Sequence, residues 1–469
     1  MVKITKKLLL SSVEVNSWVL HLVKSAQVLL VYPIIFNYLP SEQSALWMIF
    51  MLIVALQNLF DLGFQNVFIR IVSQAETGNW LLVDGAQVKG KIDSKARDAL
   101  LLRIDNTLRL VYSTLTVLFL VLVLTIGTLY VNLRVAQLSI EIFSLGYWFL
   151  FIVGLITSFY NRRYTSYLIG IKLLPLVKRV ESIVNIFSLT LGLGFFLCFP
   201  NLLTLIINYT CWQLILSFTF RGIYNKRKVS SNHKIQLDRE ILVFVWPMAW
   251  KGTISSLSSY GLVNAFALWF GSFANAKDIV SFTYALKILD SIRLFSRVPF
   301  YSNIPNLNAI RISKPYKVFF KSCLINIQRS NFIFMLLALL FYFIGFDLLE
   351  SYATSFRKVD DLVWVLLCVA YYLHLNGAYH THIYSMTNRV NSHISDSLSG
   401  IIILTILFIF FDKTGLFLFP VALIIGYGIF YTPWALFYSK KVLNKQFRRF
   451  VLLATVVPFL VSILFLIKF

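Results

Sequence analysis

Apolar runs of about twenty residues recur along the whole chain, and this recurrence constrains the fold more than any other feature. Twenty helical residues cross the hydrocarbon core of a bilayer. Backbone in that core must satisfy its hydrogen bonds within a helix or around a closed barrel. The alternation of barrel strands is absent, so the runs are helices. Of 469 residues, 58% are hydrophobic and 13% charged, a balance no soluble domain of this length has. The fold class is an all-α polytopic membrane protein. Spans are expected at about 12–37, 46–72, 108–130, 140–161, 178–199, 202–221, 241–270, 279–304, 320–345, 362–386, 394–411, 416–437 and 450–467, which makes twelve or thirteen transmembrane helices. The last could lie flat, and a count of twelve returns the C-terminus to the starting side.

The net charge of +23 is explained by loops rather than by nucleic acid. With the N-terminus inside, the inner segments hold 31 of the 43 Lys and Arg residues and the outer segments six. This asymmetry is the positive-inside rule repeated loop after loop, and it makes the protein multi-pass with a cytoplasmic N-terminus. Lys3, Lys6 and Lys7 precede the first run as in a signal peptide, but the run continues to Leu39, includes Glu14, His21 and Lys24, and has no small-residue cleavage site. It reads as an uncleaved span. Cys198, Cys211, Cys323 and Cys368 have no metal-binding or redox spacing and are expected to be small buried hydrophobes. No loop is large enough to fold as a catalytic domain; the longest outer one, Phe346 to Asp361, has about sixteen residues. Spans one to six and seven to twelve form equal sets. The expected organisation is a six-helix lobe at 1–221, a linker at 222–240, a second six-helix lobe at 241–438, and a basic loop with a possible extra span at 439–469.

The stretch Ile279 to Pro305 is a thermodynamic misfit. It carries Lys287, Asp290, Arg293 and Arg297. A charge near the bilayer centre costs roughly 2.5–3.5 kcal/mol, against a gain of roughly 0.3–0.6 kcal/mol for each Leu, Ile, Val or Phe. Asp290, Arg293 and Arg297 share a narrow helical arc with Lys287 at its edge, so this face must look into protein or water. Other spans supply polar stripes: Glu14, His21 and Lys24 on span one; Gln57, Asn58, Asp61 and Gln65 on span two; Lys251 and several serines on span seven after an expected kink at Pro247; Asn376 and His380 on span ten, with His374 and His382 nearby. Ser and Asn at such positions commonly join helices, and Glu14 lies near enough to the inner end to snorkel. The histidines of span ten have no carboxylate or Cys at ligand spacing, so no metal site is expected.

Lys24, Lys251, Lys287, Arg293, Arg297 and Arg329 lie inside spans, against about four acids. Surplus positive charge attracts anions, and the planar fork of Arg suits phosphate. The candidate substrate-binding residues are Lys24, Lys251, Lys287, Arg293 and Arg297. Asp61, Asp290 and His21 are candidates for ion coupling or for structural pairing.

Phe60-Asp61-Leu62-Gly63-Phe64-Gln65-Asn66, continuing to Arg70, resembles the Asp-Leu-Gly signature that ends the second span of bacterial polysaccharide and O-antigen flippases. These belong to the multidrug/oligosaccharidyl-lipid/polysaccharide exporter superfamily. Phe300-Tyr301-Ser302-Asn303-Ile304-Pro305 looks like the end of their eighth span, and Thr387-Asn388-Arg389 like the polar end of their tenth. One departure is Ala45-Leu46-Trp47, where the family carries Gly or Tyr. The resemblance implies a MATE-like V shape of two six-helix lobes around a central cationic cavity. It implies alternating-access transport of an undecaprenyl-pyrophosphate-linked oligosaccharide, an O-antigen or capsule repeat unit, across the bacterial inner membrane. H+ or Na+ coupling is the form of energy input considered, with no cofactor. The expected partners are the lipid-linked substrate, membrane lipids, and polysaccharide polymerase and chain-length proteins. Two alternatives stay open: a multidrug antiporter of the same fold, which would want surplus acids, and a membrane glycan polymerase or ligase, which would want a larger outer loop.

Overall fold

The computed structural model describes residues 13–77, 80–83, 86–89, 93–140, 143–229, 238–313, 315–386, 392–443 and 447–453. The expected segment Thr387–Arg389 and most of the thirteenth span lie outside them. Among the described residues, nine helices are long and apolar enough to cross a membrane. Spans four, seven and eight fall outside that group but are helical: Leu145–Gly170, Arg239–Ser256 with Leu262–Gly271, and Ala276–Ser296. All three carry internal charge. The outward faces are apolar to a degree water would not tolerate; Phe408 is 93% exposed, among many exposed Leu, Ile and Val side chains.

Helix starts are fixed by polar side chains that accept from otherwise unpartnered backbone N–H groups. Asn201 accepts from Thr204 N at 2.8 Å, Asp93 from Ala96 N at 2.8 Å, and Asp360 from Leu362 N at 2.8 Å. Asp238 accepts from Glu240 N and Ile241 N at 3.1 and 3.2 Å.

Four details differ from the sequence reading. Span two is two helices, Ser41–Phe60 and Phe64–Glu76, broken where Leu62 (φ 49°) and Gly63 (φ 68°) turn left-handed. The large loop after it holds an antiparallel ribbon, β1 (Trp80–Val83) and β2 (Ala86–Lys89), with Trp80 opposite Lys89 and Val83 opposite Ala86. Pro247 lies inside helix Arg239–Ser256, and span seven carries an interruption the sequence did not show, a π turn at Leu257–Gly261. Cys323 and Cys368 are buried, but Cys198 and Cys211 are exposed, on apolar outer faces where a small hydrophobe also suits lipid.

The chain divides into two compact units. Unit 1 comprises 1–27, 38–257 and 264–276; unit 2 comprises 28–37, 258–263 and 277–469. The passages at 27–28 and 257–258 both fall at π turns, Gln27–Val31 and Leu257–Gly261. The core of unit 1 is aromatic: Phe50 stacks on Phe151 at 4.5 Å, Phe151 on Tyr209 at 5.2 Å, and Trp148 donates to Thr128 Oγ1 at 2.9 Å. At the end poor in Lys and Arg, buried Arg134 donates to the carbonyls of Ser272 (3.0 Å) and Ala274 (2.9 Å), closing the end of Leu262–Gly271. In unit 2, the rings of Phe36, Tyr284, Phe356, Phe346 and Trp364 pack in succession. Tyr284 also donates to the carbonyl of Val28, within the π turn Gln27–Val31, at 3.1 Å.

Candidate functional site

In unit 2, helix Ala276–Ser296 and the short helix Val298–Tyr301 carry the charged face that the sequence marks as a misfit. One helical turn separates Asp290 from Arg293, and Arg293 Nη2 donates to Asp290 Oδ1 at 2.7 Å. Arg293 is 8% exposed and lies 5.3 Å from the ring centroid of Tyr371. The sequence placed these two charges on one arc; the structure adds that they neutralise each other. Lys287 is half-buried within electrostatic reach of Asp290.

Arg297 is different. It has no carboxylate within ion-pair distance among the described residues. Its guanidinium lies 5.1 Å from the Tyr301 ring. Tyr301 in turn packs edge-on to His382 at 4.6 Å and against Tyr379 at 6.3 Å. His374 lies within electrostatic reach of both arginines and stacks on Tyr431 at 5.0 Å, with Tyr427 at 4.7 Å. The two arginines therefore sit among tyrosine and histidine rings contributed by spans eight, ten and twelve. Such rings offer flat faces and hydroxyl or imidazole hydrogen bonds, and cations stack on them favourably.

This aromatic lining was not drawn from the sequence, where the histidines of span ten were weighed as part of a polar stripe and for metal ligation. A partial signal existed: Tyr371 and His374, and Tyr379 and His382, are each spaced by three, which makes each pair neighbours on the helix. His380 points elsewhere, with Nδ1 2.8 Å from Ser439 Oγ. Among the described residues, no group of three His, Cys, Asp or Glu side chains stands close enough to hold a metal ion.

Unit 1 holds a second polar centre. Asp61 is buried at the break in span two. Its Oδ1 accepts from Tyr112 at 2.6 Å and lies 3.8 Å from Arg162, while its Oδ2 accepts from Gln65 N at 3.1 Å. Arg162 also donates to Asn58 at 2.8 Å. Asp61 thus caps the helix beginning at Phe64 and joins spans two, three and four. Gly63 abuts span seven, where a Cβ would meet the Ala249 carbonyl at 2.8 Å. Lys24 is exposed and within electrostatic reach of Glu181 and Lys178. Lys251 is also exposed, with Nζ 6.0 Å from the Trp250 ring. His21 is half-buried. Lys24, Lys251, His21 and Asp61 belong to unit 1; Lys287, Asp290, Arg293 and Arg297 belong to unit 2.

No protein-family model matches the sequence, and no curated protein matches it either. Solved structures do. The lipid II flippase MurJ in an inward closed conformation superposes with a TM-score of 0.63 at 13% identity, covering 97% of this chain and 98% of that one. An inward-facing multidrug resistance MATE transporter of the MOP superfamily gives 0.61 at 13% identity, over 92% and 99%. The chain has the MATE/MurJ-like fold. The MATE multidrug transporter DinF-BH gives 0.59, also at 13% identity, over 93% and 96%. The agreement spans nearly the full length of each chain, so it covers both units and the connections within them.

Proposed function

We propose that the chain translocates an undecaprenyl-pyrophosphate-linked oligosaccharide, an O-antigen or capsule repeat unit, across the bacterial inner membrane by ion-coupled alternating access. The observation that carries this reading is Arg297, a guanidinium at the turn between helices Ala276–Ser296 and Val298–Tyr301 of span eight, ringed by Tyr301, His374 and His382, with no acid within ion-pair distance among the described residues. A charge placed so expensively calls for a counter-charge from a ligand. The paired donors of Arg fit a pyrophosphate, and the surrounding rings fit sugar faces. The fold shared with a lipid II flippase supports a lipid-linked substrate.

Arg293 has a different role in this reading. Its partner Asp290 keeps a side-chain exposure of 31%, so a pyrophosphate can compete for the arginine. Such an exchange frees Asp290 from its partner as the substrate binds, which makes Asp290 the candidate for linking substrate binding to the coupling ion. Asp290→Asn should retain substrate binding but transport independently of the proton gradient, measured as uptake into vesicles with and without an imposed pH difference. Equal dependence in wild type and variant would remove Asp290 from coupling.

Complementation tests the reading as a whole. Arg297→Ala should reduce surface polysaccharide by at least about tenfold at normal protein level, and lipid-linked repeat units should accumulate on the inner leaflet; a lost charge-assisted pair is worth roughly 1.5–3 kcal/mol. Arg297→Lys should restore part of it. Full output from Arg297→Ala would sink the site. Translocated but unpolymerised units in a deletion strain would instead favour the polymerase alternative. A multidrug antiporter is disfavoured by the sign of the site, and drug protection without a polysaccharide defect would reinstate it.

A further inference from the structure

A cavity of about 580 Å³ lies in unit 1, apart from the Asp61 centre and from the arginine site, at the end of the spans rich in Lys and Arg. That volume falls in the range of small-ligand sites, about 300–1,000 Å³. Its polar lining is Glu76, Arg97, Asp98, Tyr167, Arg227 and Lys228. Arg97 and Asp98 are paired at 3.0 Å. The other three charges form no ion pair among the described residues: Glu76 has Arg97 within electrostatic reach, Lys228 has Asp105 within reach, and neither Arg227 nor Lys228 has a carboxylate at ion-pair distance.

The placement of Glu76 is the informative part. It is the last residue of helix Phe64–Glu76, where the helix dipole presents its negative end and an acid is disfavoured. Arg227 and Lys228 close helix Leu202–Arg227, where cations are favoured and need no further explanation. The wall between them is braced. Tyr167 packs edge-on to Tyr224 at 5.4 Å, Lys228 Nζ lies 5.6 Å from the Tyr224 ring, and Arg163 donates to the Tyr224 hydroxyl at 3.0 Å. Tyr224 donates to buried Asp105. A simple anion in this cavity would meet Glu76 and Asp98; a simple cation would meet Arg227 and Lys228.

We propose that the cavity binds a zwitterionic phosphorylated amine, with phosphate on Arg227 and Lys228 and ammonium on Glu76 and Asp98. Two sources share this chemistry: the headgroup of a phosphoethanolamine lipid at the membrane boundary, and a soluble phosphorylated amine. The site is independent of the translocation reading and survives its failure.

The test uses the full-length purified protein. Native mass spectrometry with phosphatidylethanolamine and phosphatidylglycerol, and calorimetry with soluble glycerophosphoethanolamine and inorganic phosphate, supply the four probes. Phosphatidylethanolamine should bind at least about tenfold tighter than phosphatidylglycerol. Glu76→Gln should abolish that preference, and Arg227→Ala with Lys228→Ala should weaken both lipids. Binding of glycerophosphoethanolamine at comparable affinity assigns the site to a soluble ligand; binding of the lipid alone assigns it to the membrane. Equal affinity of wild type for the two lipids, with no binding of the soluble amine, overturns the proposal without any variant. So does a preference unchanged in Glu76→Gln.

Discussion

Gly63 meets two demands that no other residue meets together. Its φ of 68° is left-handed, which costs other residues roughly 1–2 kcal/mol, and its missing side chain leaves room for the Ala249 carbonyl. Gly63→Ala should lower the thermal unfolding midpoint in detergent, by more than the left-handed strain alone; an unchanged midpoint would contradict the close approach to span seven. The neighbouring Asp61 was conspicuous in the sequence as an acid open to ion coupling or structural pairing, but its partners were not. Its partners Tyr112 and Arg162 come from spans three and four, and pairing between distant segments leaves no trace in spacing. Asp290 and Arg293 were legible as a pair because three residues on a helix are neighbours in space. Their tyrosine and histidine surroundings had to be seen.

At the scale of elements, the helices were readable and their interruptions were not. Hydropathy alone marks nine spans among the described residues because length and apolarity are set by the bilayer; spans four, seven and eight were read from their place in the sequence despite internal charge. It did not locate the π turns at Gln27–Val31, Val123–Gly127, Leu257–Gly261, Phe341–Gly345 and Gly426–Tyr431. A π turn adds one residue to a helix without changing its composition, so a uniformly apolar run conceals it. The turns in spans one and seven coincide with passages of the chain between its two compact units, which suits them to absorb bending. Deleting Leu29 should restore regular α-helix there; five residues of π turn and four of α-helix rotate through nearly the same angle, so Tyr32 and Phe36 should stay buried beside Tyr284. The variant is expected to fold and insert but to lose the bend and fail to complement; normal surface polysaccharide would show that the extra residue is dispensable.

For the whole molecule, charge asymmetry and the apolar helices agree on a polytopic membrane chain, and topology is directly testable. Asn225→Cys should react with an impermeant thiol reagent only after the inner face is opened, and Lys358→Cys should react in intact cells; the reverse pattern would invert the orientation. The halves expected at 1–221 and 241–438 come from counting spans, whereas the compact units exchange parts of spans one and seven, which counting cannot anticipate. The sign of the candidate site was legible because charges in membrane helices are rare and costly, but its ring lining, drawn from three spans, was not. The most direct test is reconstitution. In proteoliposomes holding a fluorescent undecaprenyl-pyrophosphate-linked oligosaccharide, an impermeant quencher should reach only the outer-leaflet half without the protein and nearly all of it with wild type. Arg297→Ala should return the quenched fraction to about the protein-free level. Wild-type vesicles that quench no further than empty ones, with the protein folded and inserted, would contradict translocation of this substrate.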